Sequence, residues 1–255
     1  MIPYRMSKET KVNPQLKESK IDRIRKLKID GIGNTKWLEK YGTEHMKSGS
    51  ILLFGGTSVT DFRLRVAQSH ARSDLLPSYW SHGAILRKGR GGAWLLREVS
   101  LNPPKGFGEV PAMNACQDNT LKYYDNPKLW PNIAILSFPV DGKMVEEAIS
   151  QVEASRGIID LSALVVPWLA FVWGTGNAAN PLLQEKGVPS SVLVETVMGI
   201  AGLELTPGLS SQSSCPEAIW QSVKWWHSFY KETGGTNASP RGVYAIRQES
   251  AAVEE

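Results

Sequence analysis

The sequence predicts an α+β domain, an antiparallel sheet with helices gathered at one side, and three observations carry that expectation. Apolar runs of strand length, "SILLF", "HGAIL", "WLLREV", "NIAILS" and "GVYAI", are separated by Gly and Pro signals. Two of these runs flank the glycine-rich "GRGG", a hairpin signal. Helical patterns with their own start and stop residues lie between the strands.

Residues 1–48 hold 12 Lys and Arg against 6 Asp and Glu, a local +6, which leaves 17 against 19 for residues 49–255. The basicity is therefore an N-terminal property. In "IDRIRKLKIDGI" the spacing of Ile21, Ile24, Leu27 and Ile29 predicts an amphipathic helix packed on the domain. Nucleic acid is not an expected partner. Residues 1–48 thus read as a basic, partly helical N-terminal extension packed on the domain, and residues 49–255 as the domain itself.

"GSILLFGG" reads as a buried strand, followed by a helix over "TSVTDFRLRVAQSHA" capped by Thr57 or Thr60. "SHGAILRKG" and "GAWLLREVS" form the hairpin, and "NIAILSFPV" adds a strand closed by Pro139. "DGKMVEEAISQVEASRG" predicts a helix with Met144, Ala148 and Val152 on its buried face. "IIDLSALVVPWLAFVW" is too short for a membrane span, is broken by Asp160 and Pro167, and is expected to be buried. A further helix is expected in "PSSVLVETVMGIAG", and another after Cys215 with Ile219, Val223 and Trp226 as its stripe. "GVYAIRQ" is the last strand.

Two cysteines, Cys116 and Cys215, make neither a disulfide framework nor a zinc site, although a single bridge between them stays open. No metal and no cofactor is expected. The N-terminal stretch lacks the apolar core of a signal peptide, which places the chain in the cytoplasm of the producing cell as an expectation.

Cys215 stands just before Pro216 and Glu217, the N-cap position of the helix that follows. The positive end of a helix favours a thiolate and offers N–H groups to an oxyanion. Cys215 is therefore the candidate nucleophile, whereas Cys116 lacks a comparable setting. Among the four histidines, His227 is about 18 Å along the same helix, His45 belongs to the basic segment and His70 to an exposed helix end. His82, which opens a strand, is the candidate base. With the turn centred near residue 90, Glu98 would face His82 directly and orient its imidazole. Trp80, Ser81 and Ser214 are the candidate substrate contacts.

"GSILLFGG", "WSHGAILRKG" with "LLREV", and "LELTPGLSSQSSCPEAIWQ" together resemble the circularly permuted branch of the NlpC-type cysteine hydrolases. The resemblance spans roughly residues 49–230, with Ser50 and Pro216 departing from the family pattern. It implies a papain-like fold with a central antiparallel sheet and flanking helices, and a Cys215–His82–Glu98 triad. It also implies cleavage of amide bonds in bacterial cell-wall stem peptides through a thioester. Without a signal peptide, the further expectation is an antibacterial effector delivered into a target-cell periplasm by a type VI (contractile) secretion machine, with an immunity or delivery protein as partner. Two alternatives stand beside it: a thiol-dependent lipid acyl hydrolase or acyltransferase, with Trp168 and Trp173 lining an acyl channel, and a non-catalytic interaction protein that binds through its basic arm and an exposed Trp80. GxSxG, HExxH, GxGxxG and P-loop strings are absent.

Overall fold

A computed structural model of the chain describes residues 24–27, 31–101, 114–234 and 239–248. One mixed seven-stranded sheet organises it: β1 (Ile24–Lys26), β2 (Ile51–Gly55), β3 (His82–Lys88), β4 (Trp94–Glu98), β5 (Gln117–Thr120), β6 (Asn132–Ser137) and β7 (Arg241–Ile246), in the order β1-β7-β6-β2-β3-β4-β5. β1 runs parallel to β7, and every other neighbouring pair is antiparallel. The helices are α1 (Asn34–Trp37), α2 (Val59–Ala67), α3 (Gly142–Ala154), α4 (Leu161–Trp173), α5 (Pro189–Ile200) and α6 (Pro216–Thr233).

β2 and β6 are buried at every position and lie in the middle of the sheet, which is why they read as continuous apolar runs rather than as alternating ones. Successive side chains point to opposite faces. Ile51, Leu53, Ile85, Ala134 and Leu136 pack on one face against Val145 and Ala148 of α3, Val192 and Val197 of α5, and Ile219 and Val223 of α6. Leu52, Phe54, Ala84, Leu86, Ile133 and Ile135 face the other side, where Trp37, Leu38, Tyr124 and Trp130 cover them. The long helices are thus on one face, and α1 with irregular chain closes the other.

Several local expectations change. Ile24–Lys26 is a strand, not part of a helix, because its backbone pairs with Gly242–Tyr244 at the edge of the sheet; Leu27 continues the pairing with an N–H bond to Tyr244 O, and residues 21–23 and 28–30 of the predicted helix lie outside the described residues. The cap of α2 is Ser58, whose Oγ accepts the Asp61 N–H at 3.1 Å, rather than Thr57 or Thr60. α3 starts at its Asp141 cap but buries Val145, Ala148, Ile149 and Val152, leaving Met144 outside; one residue of rotation selects the β-branched side chains for the core. α4 buries Leu161, Trp168 and Val172 and exposes Val166 and Trp173, so the long apolar segment is only half enclosed. No single helix among the described residues is long and apolar enough to cross a membrane.

Asn114 carries much of the connection between α3 and α4. Its side-chain amide donates to Val152 O and Ile159 O at 2.9 and 2.8 Å, and its Oδ1 accepts the Leu161 N–H at 3.0 Å. Val152 O and the Leu161 N–H are buried groups at the ends of the two helices, and Ile159 O lies in the connection between them; all three would otherwise lack these partners.

Candidate active site

The β3–β4 hairpin brings His82 and Glu98 together. The turn closes with Gly89 N–H to Ala93 O at 2.9 Å, so its centre is residue 91, and Ile85 pairs with Arg97. Glu98 is therefore opposite Ala84 rather than His82, one step along the ladder from the expected pairing. Both His82 and Glu98 still point to the same face, and the longer carboxylate arm spans the diagonal: Glu98 Oε2 is 3.0 Å from His82 Nε2.

Glu98 is fully buried and held from four sides. Tyr124 O–H donates to Oε2 at 2.7 Å, while the Gln117 and Asn119 amides donate to Oε1 at 3.1 and 3.2 Å. Burial pushes its carboxyl toward the neutral form, but the facing imidazole and these donors outweigh it and hold the group below its usual range. A carboxylate at Nε2 fixes the proton there and leaves Nδ1 as the imidazole's basic nitrogen. Tyr124 also stacks on the imidazole, with centroids 5.7 Å apart, and on Phe54 at 4.1 Å, so the ring cannot swing.

His82 lines a small pocket at the end of the sheet together with Asp61, Ser81, Tyr123, Tyr124 and Ser190. Its central space measures about 10 Å³, room for about one water molecule. Ser190 is the second position of α5, after Pro189 at the first, and Val188 caps that helix without a side-chain bond. The Gly83 N–H donates to Ser190 Oγ at 3.3 Å, which ties this hydroxyl to the residue that follows His82. Ser81 also belongs to the pocket: its Oγ donates to Asp61 Oδ1 at 2.7 Å and accepts the Gly56 N–H at 3.1 Å. Burial pushes the Asp61 carboxyl up, against the pull of the Ser58 and Ser81 hydroxyls and of His82.

Cys215 is the N-cap of α6, as its place before Pro216 predicts. It packs in an apolar cluster with Leu64, Ala67, Leu101, Trp168, Val172 and Val188; Leu64, Leu101 and Val188 of that cluster also line the His82 pocket, while Cys215 itself lies behind them. The N–H of Glu217, in the first turn of α6, is taken by Gln68 Oε1 at 2.9 Å. Burial pushes the Cys215 thiol up to about 12, far outweighing the pull of the Ala218 and Glu217 N–H groups. Desolvation thus opposes the helix-end thiolate expected there. Cys116 is likewise buried and pushed up to about 12, and both cysteines are free thiols.

Two of the three proposed substrate contacts lie elsewhere. Trp80 is fully buried, edge-on to Trp220 at 5.2 Å, and presents no exposed ring. Ser214 is buried and donates to Glu195 Oε1 at 3.1 Å, a carboxyl that also receives Thr206 at 2.7 Å. Of the other histidines, His45 is buried 3.1 Å from Ser137 Oγ and His70 is exposed. Trp168 is buried with its indole N–H on Gly187 O at 2.7 Å, while Trp173 faces outward.

Ser190 is the site residue that sequence reasoning missed. The signal in "VPSSVLVETV" is a proline at the first helical position with a hydroxyl directly after it, whereas Cys215 precedes its proline as the N-cap. No family model matches the chain, and searches of curated proteins and of solved structures found no match either.

Proposed function

We propose that this chain is a papain-like acyl hydrolase in which His82 and Glu98 form the catalytic pair and Ser190, rather than Cys215, occupies the position of the nucleophile. The observation that carries the reading is the 3.0 Å contact between His82 and Glu98 in a pocket that Ser190 also lines. In this mechanism His82 Nδ1 takes the Ser190 proton as Oγ attacks a carbonyl carbon, and the imidazolium then protonates the leaving group. Water, deprotonated by the same nitrogen, hydrolyses the resulting acyl ester. Glu98 stays ionised, holds the Nε2 proton and offsets the imidazolium charge. In this reading the Gly83 N–H, now on Ser190 Oγ, is the donor offered to a developing oxyanion, since the Ser191 and Val192 N–H groups of α5 are already on Val188 O.

The resemblance to NlpC-type hydrolases favours an amide of the bacterial cell-wall stem peptide as substrate, and with it the role of an interbacterial effector. The experiment is to incubate the protein with muropeptides and, separately, with phospholipid, and to read products by mass. Product formation should vanish in Ser190→Ala and His82→Ala and persist in Cys215→Ala. Loss in Cys215→Ala with retention in Ser190→Ala would overturn the assignment.

A second reading, a non-catalytic interaction protein on the same scaffold, is favoured by the narrowness of the pocket and by the Gly83 bond that occupies the hydroxyl. Absence of any product from wild type in both incubations selects it.

A further inference from the structure

A second feature stands apart from the His82 pocket. Residues 161–184 contain no Asp, Glu, Lys or Arg. A helix that is apolar all round normally belongs in a core. α4 instead turns Val166, 68% exposed, and Trp173, 61% exposed, to the outside, and Leu183 in the following turn is 71% exposed.

These elements are fastened to one another. Arg63 of α2 donates to Val172 O at 2.8 Å and to Phe171 O at 3.2 Å, and Asn180 donates to Ala67 O at 2.9 Å. The C-terminal halves of α2 and α4 and the turn over Pro181–Gln184 thus form one continuous face, to which α2 adds the exposed Val66.

Besides Arg63 at the junction of α2 and α4, charged groups border the face. A groove along α4 is lined by Ile158, Leu164, Val166 and Pro167 together with Arg156 and Lys186. Arg156 is exposed and makes no ion pair among the described residues, and Lys186 Nζ donates to Gln184 Oε1 at 3.3 Å. The carboxylate in the groove, Asp160, caps α4 by accepting the Ala163 N–H at 3.0 Å; exposed Glu185 precedes Lys186. The groove therefore carries two cations against one engaged carboxylate.

We propose that this face docks on an anionic phospholipid bilayer, with α4 lying in the plane of the interface. The uncharged span enters the acyl region, Trp173 sits at its boundary, and Arg156 and Lys186 meet lipid phosphates. A second copy of the chain is the competing occupant. It would set Arg156 and Lys186 beside the same cations of its neighbour or against a surface chosen for them, whereas a lipid headgroup supplies the opposite charge directly. The inference does not depend on hydrolysis at Ser190.

The test is co-sedimentation of the full chain with phosphatidylcholine vesicles, and with vesicles that also contain phosphatidylglycerol. The wild type is expected to pellet with the anionic vesicles. Val166→Glu combined with Trp173→Glu should weaken that binding by at least about tenfold, and Arg156→Glu with Lys186→Glu by several-fold. Because all four positions are at the surface or the rim, unchanged thermal unfolding would show that the variants fold. Brominated lipid should quench more fluorescence in the wild type than in Trp173→Phe. Failure of the wild type to bind either vesicle overturns the proposal, as does binding that ignores the Val166 and Trp173 changes. Equal binding to both vesicle types overturns the anionic preference. A concentration-dependent dimer abolished by the same apolar changes would assign the face to self-association.

Discussion

Glu98 reaches His82 diagonally across the β3–β4 ladder, 3.0 Å from Nε2, while the residue directly opposite it is Ala84. The carboxylate can span that diagonal because Tyr124, Gln117 and Asn119 hold it extended. Glu98→Gln would keep the shape but offer Nε2 an amide that can present N–H as well as oxygen. If the chain is a hydrolase, turnover should fall about 10²- to 10⁴-fold with little change in KM. Glu98→Ala should instead unfold the protein more easily, by about 3–5 kcal/mol, since it strands a buried imidazole and three donors. Chemical denaturation of the two variants separates the effects.

Ser190→Cys should install a thiol that His82 activates. Alkylation of that variant by iodoacetamide below pH 7 is expected to be much faster than alkylation of Cys215 in the wild type, and to slow by at least about tenfold when His82→Gln is added. Equal rates with and without His82 would show that the imidazole does not reach residue 190.

Cys215 should behave as a core side chain. In the native protein its alkylation at neutral pH should be slower than in urea, and Cys215→Ala should cost about 1 kcal/mol of stability without removing function. The pH dependence has a defined sign. A thiol pushed up to about 12 in the folded protein keeps its proton where the unfolded chain, at about 8.5, loses it. Stability is fully present below pH 8.5 and declines above it, by about 1.4 kcal/mol per pH unit for each such thiol. Urea titrations between pH 7 and 10 should show a shallower decline when Cys116 and Cys215 are both replaced by Ala.

Asn114→Ala should be among the more damaging single changes outside the site. It leaves Val152 O, Ile159 O and the Leu161 N–H buried without their partner, at about 1–3 kcal/mol for each group that water cannot reach. Urea unfolding of the variant measures the loss. A change under 1 kcal/mol would mean that the start of α4 refastens elsewhere.

The sheet was legible because its strands are short, apolar and punctuated: β2, β3, β4, β6 and β7 all fall on the predicted runs. The His82–Glu98 pair was legible from the hairpin, although the turn centre lies at 91 rather than 90 and the pairing shifted to a diagonal. The strand at Ile24–Lys26 was not, since an edge strand with one half-buried isoleucine carries no alternation that would distinguish it from a basic helix. The surroundings of Cys215 and Ser190 were hidden for a different reason. Both stand beside a helix-starting proline, and local sequence predicts the helix end but not the burial around it. Gln68, Leu64 and Leu101 surround Cys215 from segments more than a hundred residues away, and they decide its chemistry.

His82 projects from one face of the sheet, with Phe54 and Tyr124, whereas α5 is packed on the opposite face, with Ser190 at its leading end. The pocket consequently draws one half from the sheet, where aromatic stacking and a buried carboxylate hold His82, and the other from the buried start of a helix. A slide of α5 along the strands by a fraction of an ångström would alter the hydroxyl-to-imidazole gap while leaving the His82–Glu98 distance untouched, so substitutions beneath α5 act as a tuning screw for the site.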